Sequence, residues 1–272
     1  MTTVAAALET ARAKLPASEA RLLLGHVLGR PTAWLIAHDD AVLDKTVLLG
    51  FASLVARRAG GEPVAYLVGY REFFGRDFAV TPTVLIPRPE TELLIELALA
   101  KVGAGDTARI LDLGTGSGCI AITLALEIPQ ALVTATDASA AALVAAQRNA
   151  ERYGAKVRLL QSDWYSALDG ECFDLIVANP PYIAAADPHL AAGDLRCEPL
   201  AALSSGEDGL DAVRRIIAAT PAHLAAGGQL WLEHGYDQAA AVRELLVAAG
   251  LVDIEQHRDL AGIVRVSGGR LR

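Results

Sequence analysis

The stretch 175–183 reads LIVANPPYI: four apolar residues run into Asn179, Pro180, Pro181 and Tyr182. Those residue types, in that order, can hold a planar nitrogen. An amide or exocyclic amine delocalises its lone pair into a π system and is a poor nucleophile. Two acceptors that take its two N–H groups can draw the nitrogen toward tetrahedral geometry and aim the lone pair at an electrophilic methyl group. The side-chain oxygen of Asn179 and the carbonyl of Pro180 are candidates for that pair, because consecutive prolines leave carbonyls with no competing N–H donors. Tyr182 supplies a flat face for a flat substrate group. No strong base is needed beforehand, since the nitrogen becomes acidic once alkylated, and positioning then carries most of the rate. The plainer reading is a turn with a packed tyrosine.

A second constellation lies upstream. RILDLGTGSGCIAI places Gly114, Gly116 and Gly118 between a strand and a helix, where glycine permits a tight turn and close approach of a ligand to the backbone. Ligands of open α/β sheets bind beyond the carboxyl ends of the strands, at such turns. The spacing G-x-G-x-G departs from the dinucleotide fingerprint and lacks the Gly-Lys-Ser/Thr of a P-loop, which disfavours ATP hydrolysis. After L-D-L it resembles the first motif of S-adenosylmethionine-dependent methyltransferases. The next strand, LVTATD, ends in Asp137, which can accept from both hydroxyls of a ribose or can cap the helix after it. LLQSDW brings Asp163 and Trp164 to the end of the following strand, where an acid or a ring can hold an adenine; Trp164 is equally readable as a core aromatic.

The elements that must position these residues follow from the pattern. From residue 108 onward, short apolar runs alternate with helical stretches: ARILDLG, LVTATD, KVRLLQSD, FDLIVANP, QLWLEHG, LVDIEQHRD and GIVRVSG are seven strands. Such alternation predicts a mainly parallel sheet with helices on both faces. The last two strands have no helix between them, so one of them should pair antiparallel. Residues 209–228 read as helical, broken at Pro221. The first seventy residues form helices, with Ser18, Thr32 and the Gly60–Gly61 pair as candidate end signals. REFFGRDFAV is a hairpin, and Pro89, Glu90 and Glu92 suit the first turn of a helix. The expected domains are 1–70, helical; 71–87, a hairpin linker; and 88–272, the α/β domain.

The chain of 272 residues carries a formal net charge of −8. That balance argues against broad phosphate binding, which needs clustered positive charge. No eighteen-residue apolar run suggests a membrane span, and the N-terminus lacks the basic start and apolar block of a secretory signal. Cys119, Cys172 and Cys197 are far apart and read as reduced thiols, consistent with a cytoplasmic protein; the scattered histidines have no metal spacing.

Taken in order, GEPVAYLVGYREFFGRDFAV, VLIPRPETELL, ILDLGTGSGCIAI, QSDWYSAL, NPPYI and EPLAAL–GEDGL resemble the HemK/PrmC family over nearly the whole chain. The resemblance implies a Rossmann-like, seven-stranded class I methyltransferase sheet with a small N-terminal helical domain that recognises the partner. It implies S-adenosyl-L-methionine as cofactor. The substrate would be the glutamine of the Gly-Gly-Gln motif in class-1 peptide chain release factors. Gly114, Thr115, Gly116, Ser117 and Gly118 match the cofactor loop, Asp137 the ribose-binding acid, and Trp164 the aromatic beside the cofactor, with Asn179 bordering it. Asn179, Pro180, Pro181 and Tyr182 match the residues that hold the glutamine amide, and Asn179, Pro180 and Tyr182 are the expected catalytic set. Arg88, Glu90 and Thr91 match a segment lining the cofactor's amino-acid end; helix capping and surface pairing are the alternative.

Three rival readings stand beside this one. The paralogous glutamine methylase acting on ribosomal protein L3 shares the catalytic residues. A DNA adenine methylase would need a basic target-recognition region to reach a flipped base, and none is visible. A non-catalytic cofactor-binding module on the translation machinery would have no need of the acceptor pair at Asn179 and Pro180.

Overall fold

The computed structural model describes residues 1–103, 105 and 107–272, and it divides into two units, Met1–Tyr70 and Arg71–Arg272. The first unit is helical: α1 Val4–Arg12, α2 Ala17–Leu28, α3 Thr32–Ala37, α4 Lys45–Ala59 and α5 Val64–Val68. Leu23, Leu24, Leu35, Phe51 and Val55 form its core. Thr3 and Asp44 cap α1 and α4 by accepting N–H bonds with their side chains. Ser18 and Thr32 do not act as caps: Pro16 and Pro31 occupy the cap positions, and their fixed φ starts the helix without a side-chain bond. Helix α3 ends at Ala37, where His38 leaves helical geometry and bonds the Trp34 carbonyl through Nδ1.

Next come a hairpin, β1 Tyr70–Phe73 and β2 Arg76–Ala79, which but for Tyr70 belongs to the second unit, and α6 Glu92–Lys101. The stretch 71–87 is packed into this unit, because Phe73 and Phe78 are fully buried with Leu94, Ile95 and Ile122. Then come β3 Arg109–Leu113, α7 Cys119–Glu127, β4 Leu132–Asp137, α8 Ala140–Tyr153, β5 Val157–Gln161 and β6 Phe173–Ala178. The chain closes with α9 Asp211–Ala219, β7 Leu224–Glu233, α10 Ala239–Ala248, β8 Val252–Arg258 and β9 Val264–Arg270.

The seven strands lie in the order β5-β4-β3-β6-β7-β9-β8. The first five in that order are parallel, and β9 runs antiparallel to both β7 and β8. Alternate residues of each strand feed opposite cores. Ile110, Leu175, Val177 and Trp231 pack beneath α6 and α7, whereas Leu111, Leu113, Ile176 and Leu232 pack beneath α9 and α10. Strand β7 begins within the stretch expected to be helical. Phe173 N–H bonds the His223 carbonyl at 2.8 Å and Phe173 pairs with Leu224, so the cross-strand ladder captures the segment once α9 ends. A register shift follows, at glycines that fit it: a Cβ on Gly228 would stand 2.8 Å from the Phe173 carbonyl.

Chain order reverses between β3 and β6, which are sheet neighbours, and that is where an open α/β sheet forms its crevice. Leu113 pairs with Ala178, so the glycine turn and the Asn-Pro-Pro-Tyr segment leave the sheet side by side.

Candidate active site

Both constellations border one cavity of about 250 Å³ beyond the carboxyl ends of β3, β4, β5 and β6. Gly114, Gly116, Asp137, Trp164, Asn179 and Pro181 line it, and Thr83–Leu85 and Ala201–Ala202 face them.

The glycine turn is shaped for this wall. Gly114, Gly116 and Gly118 all have positive φ, at 72°, 57° and 83°. Above Gly116 a Cβ would meet nothing within 4 Å, which leaves open backbone for a ligand to rest on. Gly118 faces the other way: a Cβ there would stand 2.8 Å from Ile122 Cδ1 and 3.1 Å from Ala146 Cβ. It lets α7 and α8 close up and does not line the cavity. Nor do the side chains of Thr115 and Ser117, which turn into the interior. The Thr115 hydroxyl donates to Asp112 Oδ2 at 2.6 Å, and Ser117 is buried, its carbonyl taking Asn149 Nδ2 at 2.8 Å. The same Asn149 exchanges two bonds with Ala79, pinning β2 against the turn. No sequence motif had singled out Asn149.

Asp137 ends β4 with its carboxylate in the cavity wall. Oδ2 accepts from Gly116 N–H at 2.9 Å and Oδ1 from Ser139 N–H at 2.8 Å. Helix capping falls to Ser139, which accepts from Ala142 N–H. Burial raises the Asp137 carboxyl above its usual range, opposed by those two N–H bonds. Each oxygen still has acceptor capacity to spare. The Trp164 ring lies over the turn, with Cζ3 3.3 Å from where a Gly114 Cβ would be, and its backbone takes φ 54°, unusual for a bulky residue. Asp163 is also in the wall, but its carboxylate pairs with Arg215 at 2.6 Å.

A carboxylate with acceptor capacity to spare, an exposed glycine backbone and an aromatic face together fit the nucleoside part of S-adenosylmethionine. Among the described residues, no lysine or arginine lines the cavity to meet the charge of a triphosphate.

Asn179 borders both this cavity and a smaller one of about 50 Å³ lined by Arg88, Pro180, Pro181, Tyr182, Ile183 and Leu195. The Asn179 amide donates from Nδ2 to the Thr91 hydroxyl at 3.0 Å. Thr91 donates to Glu233 Oε2 at 2.6 Å, and Tyr182 donates to Glu233 Oε1 at 3.1 Å. Among the described residues, neither Asn179 Oδ1 nor the Pro180 carbonyl accepts a bond from the protein. Two acceptors therefore stand free beside the wall shared by the two cavities.

The segment expected to line the cofactor's amino-acid end divides. Thr91 joins Asn179, whereas Arg88 pairs with Glu198, whose other oxygen accepts from Ile86 N–H at 2.9 Å. Glu90 is exposed. Asp208 pairs with Arg214 and accepts from Leu210 N–H at 3.1 Å, so it braces the start of α9. Cys119 is buried beside Asp112, and burial pushes its thiol up to about 12, which keeps it protonated and inert.

Fold and site together define a class I S-adenosylmethionine-dependent methyltransferase. A methyltransferase small domain model matches residues 89–195, and a PrmC N-terminal domain model matches residues 1–69. A methyltransferase from Pyrococcus furiosus shares the fold, with a TM-score of 0.55 and 20% identity over 80% of this chain and 98% of that one. The sequence is 56% identical to the release factor glutamine methyltransferase of Bordetella pertussis, over 94% of this chain and 96% of that protein. It is 55% identical to the enzyme of that name from Burkholderia pseudomallei, over 98% of this chain and 96% of that protein. The chain belongs to the release factor glutamine methyltransferase family.

Proposed function

We propose that this chain transfers a methyl group from S-adenosyl-L-methionine to the side-chain amide nitrogen of the glutamine in the Gly-Gly-Gln motif of class-1 peptide chain release factors, in the cytoplasm. The observation that carries the reading is the pair of free acceptors, Asn179 Oδ1 and the Pro180 carbonyl, beside a nucleoside-sized cavity. A primary amide has two N–H donors, and two acceptors on one side of it fix both.

S-adenosylmethionine, when bound, supplies a methyl group on a cationic sulfur. Asp137 would hold its ribose, the backbone at Gly114 and Gly116 would lie against it, and Trp164 would cover its adenine. Thr115, Ser117 and Gly118 would contribute through the shape of the turn alone. On the substrate side, Asn179 and Pro180 would take the two N–H groups and hold the nitrogen's lone pair toward the cofactor cavity. Pro181 and Tyr182 would confine the amide plane. Since the Tyr182 hydroxyl is occupied by Glu233, its part is to give a fixed face and not to exchange protons. Burial, with the Glu233 charge next in effect, raises its phenol further and keeps it neutral. Orientation of this kind accounts for the rate without a side-chain base. Residues 1–70 would recognise the release factor, and residues 71–272 would carry the chemistry.

The test is incubation with labelled cofactor and a release factor purified without prior methylation, followed by mass spectrometry of the peptide. Label on the Gly-Gly-Gln glutamine supports the reading. Label on ribosomal protein L3 in its place moves the substrate to the paralogous reaction.

A further inference from the structure

Glu233 is 1% exposed, and its carboxylate is shared between two partners. It ends β7 one step beyond the Ala178–Leu232 pair, which sets it beside Asn179 at the sheet edge. One oxygen takes the Tyr182 hydroxyl and the other takes the Thr91 hydroxyl, which in turn accepts from Asn179. A single carboxylate thus grips the first and last residues of Asn-Pro-Pro-Tyr.

The direction of these bonds has a consequence. An ionised carboxylate only accepts, and a threonine hydroxyl has one hydrogen to give. Thr91, 2% exposed, spends that hydrogen on Glu233 Oε2, so its oxygen can only accept from Asn179. The two ends of the Asn179 amide are almost the same size, and shape alone does not choose between them. Thr91 chooses: NH₂ turns inward and Oδ1 turns out. Turned the other way, Asn179 would present a donor to the donor N–H of a substrate amide.

We propose, resting on the glutamine-amide reading above, that Glu233 and Thr91 are positioning residues that orient Asn179 with its oxygen toward the substrate.

The device has a polarity that protonation reverses. A protonated Glu233 can donate to Thr91, freeing the Thr91 hydrogen to point at Asn179 and draw Oδ1 inward. The groups that act on Glu233 are Tyr182, Arg265, Glu90 and Thr91. Burial raises its carboxyl; Thr91, Tyr182 and Arg265 oppose the rise, and Glu90 adds to it. Turnover should therefore fall as pH drops through the raised Glu233 titration.

The experiment uses the full chain, S-adenosylmethionine and an unmethylated class-1 release factor. In Thr91→Val, which keeps the shape and removes the acceptor, kcat should fall about 10- to 100-fold, with KM for the cofactor unchanged. Thr91→Ser, which restores the acceptor, should recover most of it. Glu233→Gln should lose the acid limb of the kcat–pH profile. A nitrogen-15 spectrum of the chain alone adds a readout independent of turnover: the Asn179 NH₂ signal should be protected from exchange in the native chain and unprotected in Thr91→Val. Native kcat together with a protected signal in Thr91→Val overturns the proposal. Should that variant fail to fold, Glu233→Gln decides, and an unchanged acid limb overturns it. A native chain that methylates no release factor defeats the substrate reading instead, and the Asn179 signal then still tests the orientation.

Discussion

Replacing Asn179 with alanine isolates the acceptor from everything else in the cavity. The side chain is half-buried and, among the described residues, makes one bond to the protein, from Nδ2 to Thr91 at 3.0 Å. Losing that bond should cost about 0.5–1.5 kcal/mol of stability, so the variant stays folded. The loss in transfer should be much larger. Removing one preorganised hydrogen-bonding group from an active site typically lowers the rate by about 10²- to 10³-fold, or roughly 2.7–4 kcal/mol. The other acceptor, the Pro180 carbonyl, remains, which keeps the expectation to a single group's worth. Asp137, the glycine turn and Trp164 are untouched, so cofactor affinity should change by less than about threefold. Single-turnover transfer of labelled methyl to a release factor, beside a calorimetric titration of the cofactor, reads both quantities. A folded Asn179→Ala protein that transfers within about threefold of the native rate would refute the acceptor role.

Three further outcomes follow from the same geometry. Asp137→Ala removes a charged acceptor from the cavity wall and should weaken cofactor binding by about 10- to 100-fold, from the ~1.5–3 kcal/mol of a charge-assisted bond, with turnover recovering at saturating cofactor; unchanged affinity by calorimetry counts against it. Gly118→Ala puts a Cβ 2.8 Å from Ile122 at φ 83°, and should cost about 1–3 kcal/mol in urea denaturation while leaving the cavity wall unaltered. Asp112 is buried with its carboxyl raised from 3.8 to about 7 by desolvation, against bonds from Thr115 and Ala121. A raised acid contributes stability that is complete below its unfolded value near 3.8 and lost as pH rises through about 7. Asp112→Asn, which cannot ionise, should therefore gain on the native chain between pH 5 and pH 8 in denaturation midpoint; an equal difference at both values contradicts this.

Much of the site was readable from order alone. Short apolar runs ending in Gly114, Asp137, Trp164 and Asn179 belong to successive parallel strands, and parallel strands bring their carboxyl ends to one edge. What escaped was whatever depended on a partner distant in sequence. Thr91 and Glu233 are 142 residues apart, and neither carries a local sign that they meet. Asn149 looks like any polar residue of an amphipathic helix until Ala79 and Ser117 are set against it. HLAAGG has no strand periodicity, and only its pairing with Phe173 makes it the start of β7. Thr115 and Ser117 have hydroxyls suited to a ligand, yet the positive φ of the glycines beside them turns those side chains inward. In the opposite sense, the missing N–H groups of Pro180 and Pro181 were legible at once, since they follow from residue type.

Whether the free acceptors at Asn179 and Pro180 receive a glutamine amide is decided by offering the chain labelled S-adenosylmethionine with an equimolar panel of release factor, ribosomal protein L3, DNA and RNA, then locating the label by mass spectrometry. The expected result is one methyl on the side-chain nitrogen of the Gly-Gly-Gln glutamine, lost when that glutamine is replaced by glutamate. Label on nucleic acid, or on no member of the panel, would contradict it.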